Sequence, residues 1–144
     1  MKREKTTIVI GVLQDTHVLG SRLLTMVLED AGFKVVHLGS LMTQDEFVKA
    51  ALETNAKAIF ISTSSGHGEI DCEGLRGKCV EAGLKDILLY AGGNVVMGQQ
   101  SRNWEEVERK FKGMGYTRVC PPGIEPDEVI SYLKKDLEQQ AIKK

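Results

Sequence analysis

Long apolar runs are missing from this chain. No segment approaches the roughly 20 consecutive apolar residues that a membrane span needs. Met1 to Thr7 is short and charged and has no apolar core of the signal-peptide kind. Together these absences lead us to expect a cytoplasmic protein with no membrane partner. An excess of charge of one sign is missing too. Lys and Arg number 19 against 20 Asp and Glu, for a net charge of −1, so no footprint for nucleic acid is expected. Cysteine is scarce. Cys72, Cys79 and Cys120 are odd in number and lack CxxC spacing, so they read as reduced, small core residues. Cys72 and Cys79 lie seven apart on an expected helix and should share a face. The phosphate-binding patterns GxGxxG and GxxxxGK do not occur.

What is present reads as one domain over residues 1–144, with its core at about 6–138 and polar termini. The 144 residues are 42% hydrophobic and 27% charged, the balance of an ordinary soluble globular protein. Thr7 to Leu13 is a continuous apolar run rich in β-branched residues, the mark of a strand covered on both faces. Leu19, Leu23, Val27 and Ala31 then recur at i+4, with Leu24 and Leu28 beside them, and Gly32 ends that helix. Lys34 to Leu38 is a second strand. Thr43 and Glu46 have capping-box spacing before a helix burying Phe47, Val48, Ala51 and Leu52, with Asn55 as its left-handed cap.

Ala58 to Ser62 is the third strand. Asp71 or Glu69 can begin the next helix, with Leu75, Cys79 and Ala82 inward. Asp86 to Ala91 is the fourth strand. Asn103 can cap a helix carrying Trp104, Val107 and Phe111, and Tyr116 to Cys120 is a short fifth strand at an edge. Pro126 opens a last helix that buries Val129, Ile130, Leu133 and Leu137, and the tail from Gln139 should fray. Strict βα alternation with short connections predicts an open, doubly wound, five-stranded parallel sheet of Rossmann or flavodoxin-like type, order 2-1-3-4-5. Its switch point falls between strands one and three, and ligands bind there, outside the carboxyl ends.

Those ends carry the unusual residues. The first has Gln14, Asp15, Thr16, His17, Val18 and Gly20. The third has Ser62, Thr63 and Ser64. The fourth has Gly92, Gly93, Asn94, Val95, Val96, Met97 and Gly98. Asp15 and His17, two apart, suit a metal-bound imidazole that donates its other N–H to a carboxylate. No second ligand lies at metal spacing, and a protein-only zinc or iron site needs three or four. A cofactor with its own equatorial ligands, haem or cobalamin, needs only one. The same spacing also serves a hydrogen bond that merely closes a loop. The hydroxyls of Ser62 to Ser64 suit an elongated polar ligand or a helix cap. Gly92 and Gly93 suit close backbone approach or a tight turn. His37 reads as structural and His67 as a solvated loop residue.

The pattern Asp15-x-His17-x-x-Gly20, the serine-rich end of strand three and Gly92-Gly93 resemble the motifs of cobalamin-binding domains. More narrowly, Ala31 to Val36, Gly68 to Cys79, Glu81 to Leu84, Gly92 to Asn94 and Pro121 to Gly123 resemble the small subunits of adenosylcobalamin-dependent glutamate mutases. The likeness runs from about Thr7 to Leu137. One departure stands out: the family's Ser-x-Leu reads Ser62-Thr63-Ser64.

The resemblance implies adenosylcobalamin bound base-off, with His17 as lower cobalt ligand and Asp15 bonded to its other ring nitrogen. It implies that Gly20 makes room for the displaced nucleotide tail. Ser62 would bond the benzimidazole, Thr63 and Ser64 would line its slot, and residues 92–98 would flank it. It implies isomerase chemistry, the radical rearrangement of L-glutamate to threo-3-methylaspartate. A large barrel-type partner subunit would hold the substrate, two copies of each chain assembling, with no acid, base or nucleophile on this chain. Alternatives are a corrinoid carrier for methyl transfer, another B12-dependent mutase, and a flavodoxin-like module without a corrinoid. The carriers usually place a helical domain before the first strand, which here begins within ten residues.

Overall fold

A computed structural model describes residues 5–12, 19–63, 72–93, 104–121 and 124–143. Its elements are β1 (Thr7–Val12), α1 (Leu19–Asp30), β2 (Lys34–His37), α2 (Gln44–Thr54) and β3 (Ala58–Thr63). Then follow α3 (Leu75–Glu81), β4 (Leu88–Gly93), α4 (Trp104–Gly113), β5 (Arg118–Val119) and α5 (Pro126–Lys143). The strands form one parallel sheet in the order β2-β1-β3-β4-β5, the topology read from the sequence.

Strand alternation divides the core in two. Val9, Ile59, Ile61, Leu89 and Ala91 face α2, α3 and α4, where Phe47, Leu75, Cys79, Val107 and Phe111 are buried. Ile8, Ile10, Ala58, Phe60, Leu88 and Tyr90 face Leu24 and Leu28 of α1 and Val129 and Leu133 of α5. All six residues of β1 are buried, as its unbroken apolar run requires.

Local chemistry fixes the element ends. Glu46 N–H donates to Thr43 Oγ1 and Thr43 N–H donates to Glu46 Oε1, each at 3.3 Å, which is the expected capping box at α2. Asn55 ends that helix in the left-handed region, φ 54°. β5 is short, yet Thr117 N–H donates to the Leu89 carbonyl at 2.8 Å and Cys120 N–H to the Ala91 carbonyl at 2.7 Å, so its ladder extends past its ends. The turn after β2 is less relaxed. Gly39 has φ 91° and Leu41 has φ 55°, a conformation that costs a leucine about 1–2 kcal/mol.

Several boundaries differ from the sequence reading. On α1 the buried row is Leu24 and Leu28, while Leu23 is 52% exposed and Ala31 is exposed. Two apolar rows compete for one sheet face, and only one can take it. Leu52 on α2 is likewise exposed rather than inward. α3 begins at Leu75, behind a turn at Cys72 to Gly74 in which Gly74 has φ 86°. Cys72 is therefore not on the helix with Cys79, although both are buried in the same cluster. That turn is pinned, because Gln44 Nε2 donates to the Glu73 carbonyl at 2.7 Å and Tyr116 Oη to the Cys72 carbonyl at 2.9 Å. β4 is displaced two residues toward the carboxyl end, since Gly92 and Gly93 pair with Ser62 and Thr63. α5 runs on to Lys143 instead of fraying at Gln139. Gln140 Nε2 donates to the Asp86 carbonyl and anchors that end.

Candidate functional site

The register of the three inner strands sets the site. Val12 of β1 is opposite Ser62 of β3, Ser62 is opposite Gly92 of β4, and Thr63 is opposite Gly93. A row of valine, serine and glycine thus crosses the carboxyl edge, with the serine on the central strand. Ser62 shares the parity of Phe60 and Gly92 that of Tyr90, so both belong to the α1–α5 side of the sheet. Ser62 is half-buried. A Cβ built on Gly92 would stand 3.0 Å from Phe60 Cζ and 3.2 Å from its Cε1. The Phe60 ring thus fills the space a side chain would need, and Gly92 is itself buried in register with Ser62. Ser62 therefore offers a half-buried hydroxyl next to closely packed strand backbone.

Gly20 lies in the first turn of α1, so the end of β1 and the start of α1 bracket the stretch that carries Asp15 and His17. Thr63 and Gly93 are the last residues of their strands. Gln14, Asp15, Thr16, His17, Val18, Ser64, Asn94, Val95, Val96, Met97 and Gly98 lie outside the described residues. So do His67, Glu69, Asp71 and Asn103. The structure thus joins Ser62, Thr63, Gly92 and Gly93 at one edge. Among the described residues no group of three His, Cys, Asp or Glu could hold a metal ion.

His37 ends β2 with Nδ1 accepting from Gly39 N–H at 3.0 Å. Burial, and secondarily the Arg22 charge, hold its pKa below the usual histidine value, so a neutral imidazole keeps that bond. The cysteines are buried and form no disulfide, and burial pushes the Cys120 thiol up to about 11, which makes it a core thiol rather than a nucleophile.

A second polar constellation was not anticipated. Asp136 of α5 is buried and accepts from Arg118 Nε at 2.8 Å, from Arg118 Nη2 at 3.0 Å and from Tyr90 Oη. The guanidinium also lies 4.2 Å from the Tyr132 ring centroid. Burial disfavours the ionised carboxyl, yet the bonds from Arg118 and Tyr90 outweigh it and hold its pKa below the usual range. The group borders a groove of about 510 Å³ along β5, whose lining includes neither Ser62 nor Gly92. Its sequence signal was a carboxylate three residues past Leu133, on the inward stripe of an amphipathic helix.

Fold and edge together define a doubly wound, flavodoxin-like α/β protein with a glycine in register with a serine at its carboxyl edge. The profile of the B12 binding domain family matches residues 5–117. The glutamate mutase sigma subunit of Carboxydothermus hydrogenoformans is 55% identical over 135 residues, 93% of this chain and 97% of that one. The sigma subunit from Clostridium cochlearium is 54% identical over the same shares of the two chains. Among solved structures, a cobalamin-binding protein from Desulfitobacterium hafniense superposes with a TM-score of 0.73 at 18% identity. That alignment covers 92% of this chain and 60% of the other, and shows the shared fold. The chain belongs to the B12 binding domain family and, within it, to the glutamate mutase sigma subunits.

Proposed function

We propose that residues 1–144 form a single cobalamin-binding domain that serves a glutamate mutase and binds adenosylcobalamin base-off, with His17 as the lower ligand of cobalt. The observation that carries this reading is the Ser62–Gly92 pairing at the carboxyl edge, in a chain related over nearly its whole length to glutamate mutase sigma subunits. When bound, the cofactor supplies the homolytic cobalt–carbon chemistry for rearranging L-glutamate to threo-3-methylaspartate.

This chain's own part is to bind and orient. His17 offers one imidazole nitrogen, and Asp15 accepts a hydrogen bond from the other, fixing tautomer and orientation. Gln14, Thr16 and Val18 complete that loop. Gly20 leaves room at the start of α1 for the displaced nucleotide tail. Ser62 bonds the benzimidazole, with Thr63 and Ser64 along the same slot. Gly92, Gly93 and residues 94–98 flank the opposite side. Ser64 places a hydroxyl where the family motif has leucine, so apolar contact with the tail is reduced there.

The sigma-subunit relationship implies a larger partner subunit. We assign to it a barrel fold, the glutamate site and a complex with two copies of each chain, in the cytoplasm. The test is electron paramagnetic resonance of the bound cob(II)alamin form with ¹⁵N-histidine-labelled protein. Histidine-nitrogen coupling is expected, and His17→Gly should abolish it. Persistent coupling to benzimidazole nitrogen would refute the assignment. Turnover of L-glutamate on adding a glutamate mutase large subunit separates this function from methyl transfer.

A further inference from the structure

The turn after β2 concentrates two unfavourable features in one residue. Leu41 has a φ of +55°, in the left-handed region that bulky side chains seldom occupy. Its side chain is also 60% exposed. Both features are enforced by the neighbours. Val12 N–H donates to the Gly39 carbonyl at 2.8 Å, and Met42 N–H donates to the Val12 carbonyl at 3.0 Å. Gly39 N–H is in turn held by His37 Nδ1. Only Ser40 and Leu41 span these anchors, so Leu41 is kept outside while Met42 packs on the core.

Strain held in place by surrounding bonds gathers at ligand sites, and this turn is beside one. It bonds both the N–H and the carbonyl of Val12, and Val12 is in register with Ser62. The other exposed large hydrophobic residues among those described, Leu23, Met26, Leu52, Val80 and Ile142, all lie on helices. Leu41 is the one held at the carboxyl edge.

We propose that Leu41 is an apolar contact for the rim of the corrin ring, an inference that rests on cobalamin occupying this edge. The rim of a corrin carries methyl groups among its amide arms, and a leucine side chain gives those methyls a surface from which water is excluded. His17 follows Val12, the last residue of β1, by five positions in the sequence. A protein partner is the competing occupant. Among the described residues, however, Leu41 is the one large exposed hydrophobic in this turn, whereas the core of a protein interface gathers several large side chains.

The test uses Leu41→Asn and Leu41→Gly in the full chain. Both residues accept the left-handed region, so the melting temperature should hold or rise. Titration with adenosylcobalamin, followed by visible spectra, should show affinity reduced about tenfold. The histidine-nitrogen coupling of bound cob(II)alamin should persist in both variants. Affinity within about twofold of the parent chain would overturn the inference. So would normal affinity with weakened binding of the large subunit at saturating cobalamin, which assigns Leu41 to the protein interface. No histidine coupling in the parent chain is a separate result, and it would remove both the cobalamin reading and this contact.

Discussion

Asp136 ties α5 to β4 and β5 through one carboxylate. Its charge accepts two bonds from Arg118 and one from the buried Tyr90. Asp136→Asn keeps the size and removes the charge, and should cost about 2 kcal/mol of stability at pH 7, read by urea unfolding. The folded pKa lies below the ordinary value, so in acid the unfolded chain binds the extra proton. The stabilisation is therefore complete above the unfolded pKa, about 3.9, and fades as pH falls through the lower folded value. The gap between parent and variant should narrow when the unfolding is repeated at pH 3. An unchanged gap would show that the packing of Asp136, not its charge, ties the helix. The sequence pointed here only faintly. A carboxylate on the inward stripe of α5 was visible, but its partners lie 18 and 46 positions away in the chain, a distance that no local spacing encodes.

Elements were more legible than residues. The five strands, their order and the α2 capping box follow from continuous apolar runs, short connections and the Thr43–Glu46 spacing, all local properties of the chain. Helix faces were less so. α1 offered two i+4 rows, and periodicity alone does not choose between Leu23 and Leu24; contact with the sheet does. The start of α3 escaped for a related reason, because Gly74, Gln44 and Tyr116 set it through tertiary bonds. Much of the candidate site was legible as motif: Ser62 and Gly92 were named from sequence, and the ladder adds that they are direct neighbours. Among its described side chains α1 buries only Leu24 and Leu28, and leaves Leu23 and Met26 mostly exposed. Its amides should therefore exchange with deuterium faster than those of β3 in cofactor-free protein, and slow on adding cobalamin. Equal protection of α1 and β3 before addition would contradict this.

For the molecule as a whole, cobalamin bound at the proposed site should act as a folding ligand. At 100 times its dissociation constant a ligand that binds only the folded state adds about 2.7 kcal/mol. Thermal melts should accordingly rise by several degrees with cofactor concentration, and the rise should be smaller for Ser62→Ala. A melting temperature indifferent to cobalamin would count against the edge as its site. The division of the core then bears on how the molecule tolerates change. Phe47, Leu75, Phe111 and Tyr116 fill one side of the sheet without help from α1 or α5. That side is like the fixed jaw of a vice, a packed support against which a ligand bound on the α1–α5 side would be held. Substitutions should therefore be tolerated less at Phe47, Leu75, Phe111 and Tyr116 than at exposed positions of α1 such as Leu23 and Met26.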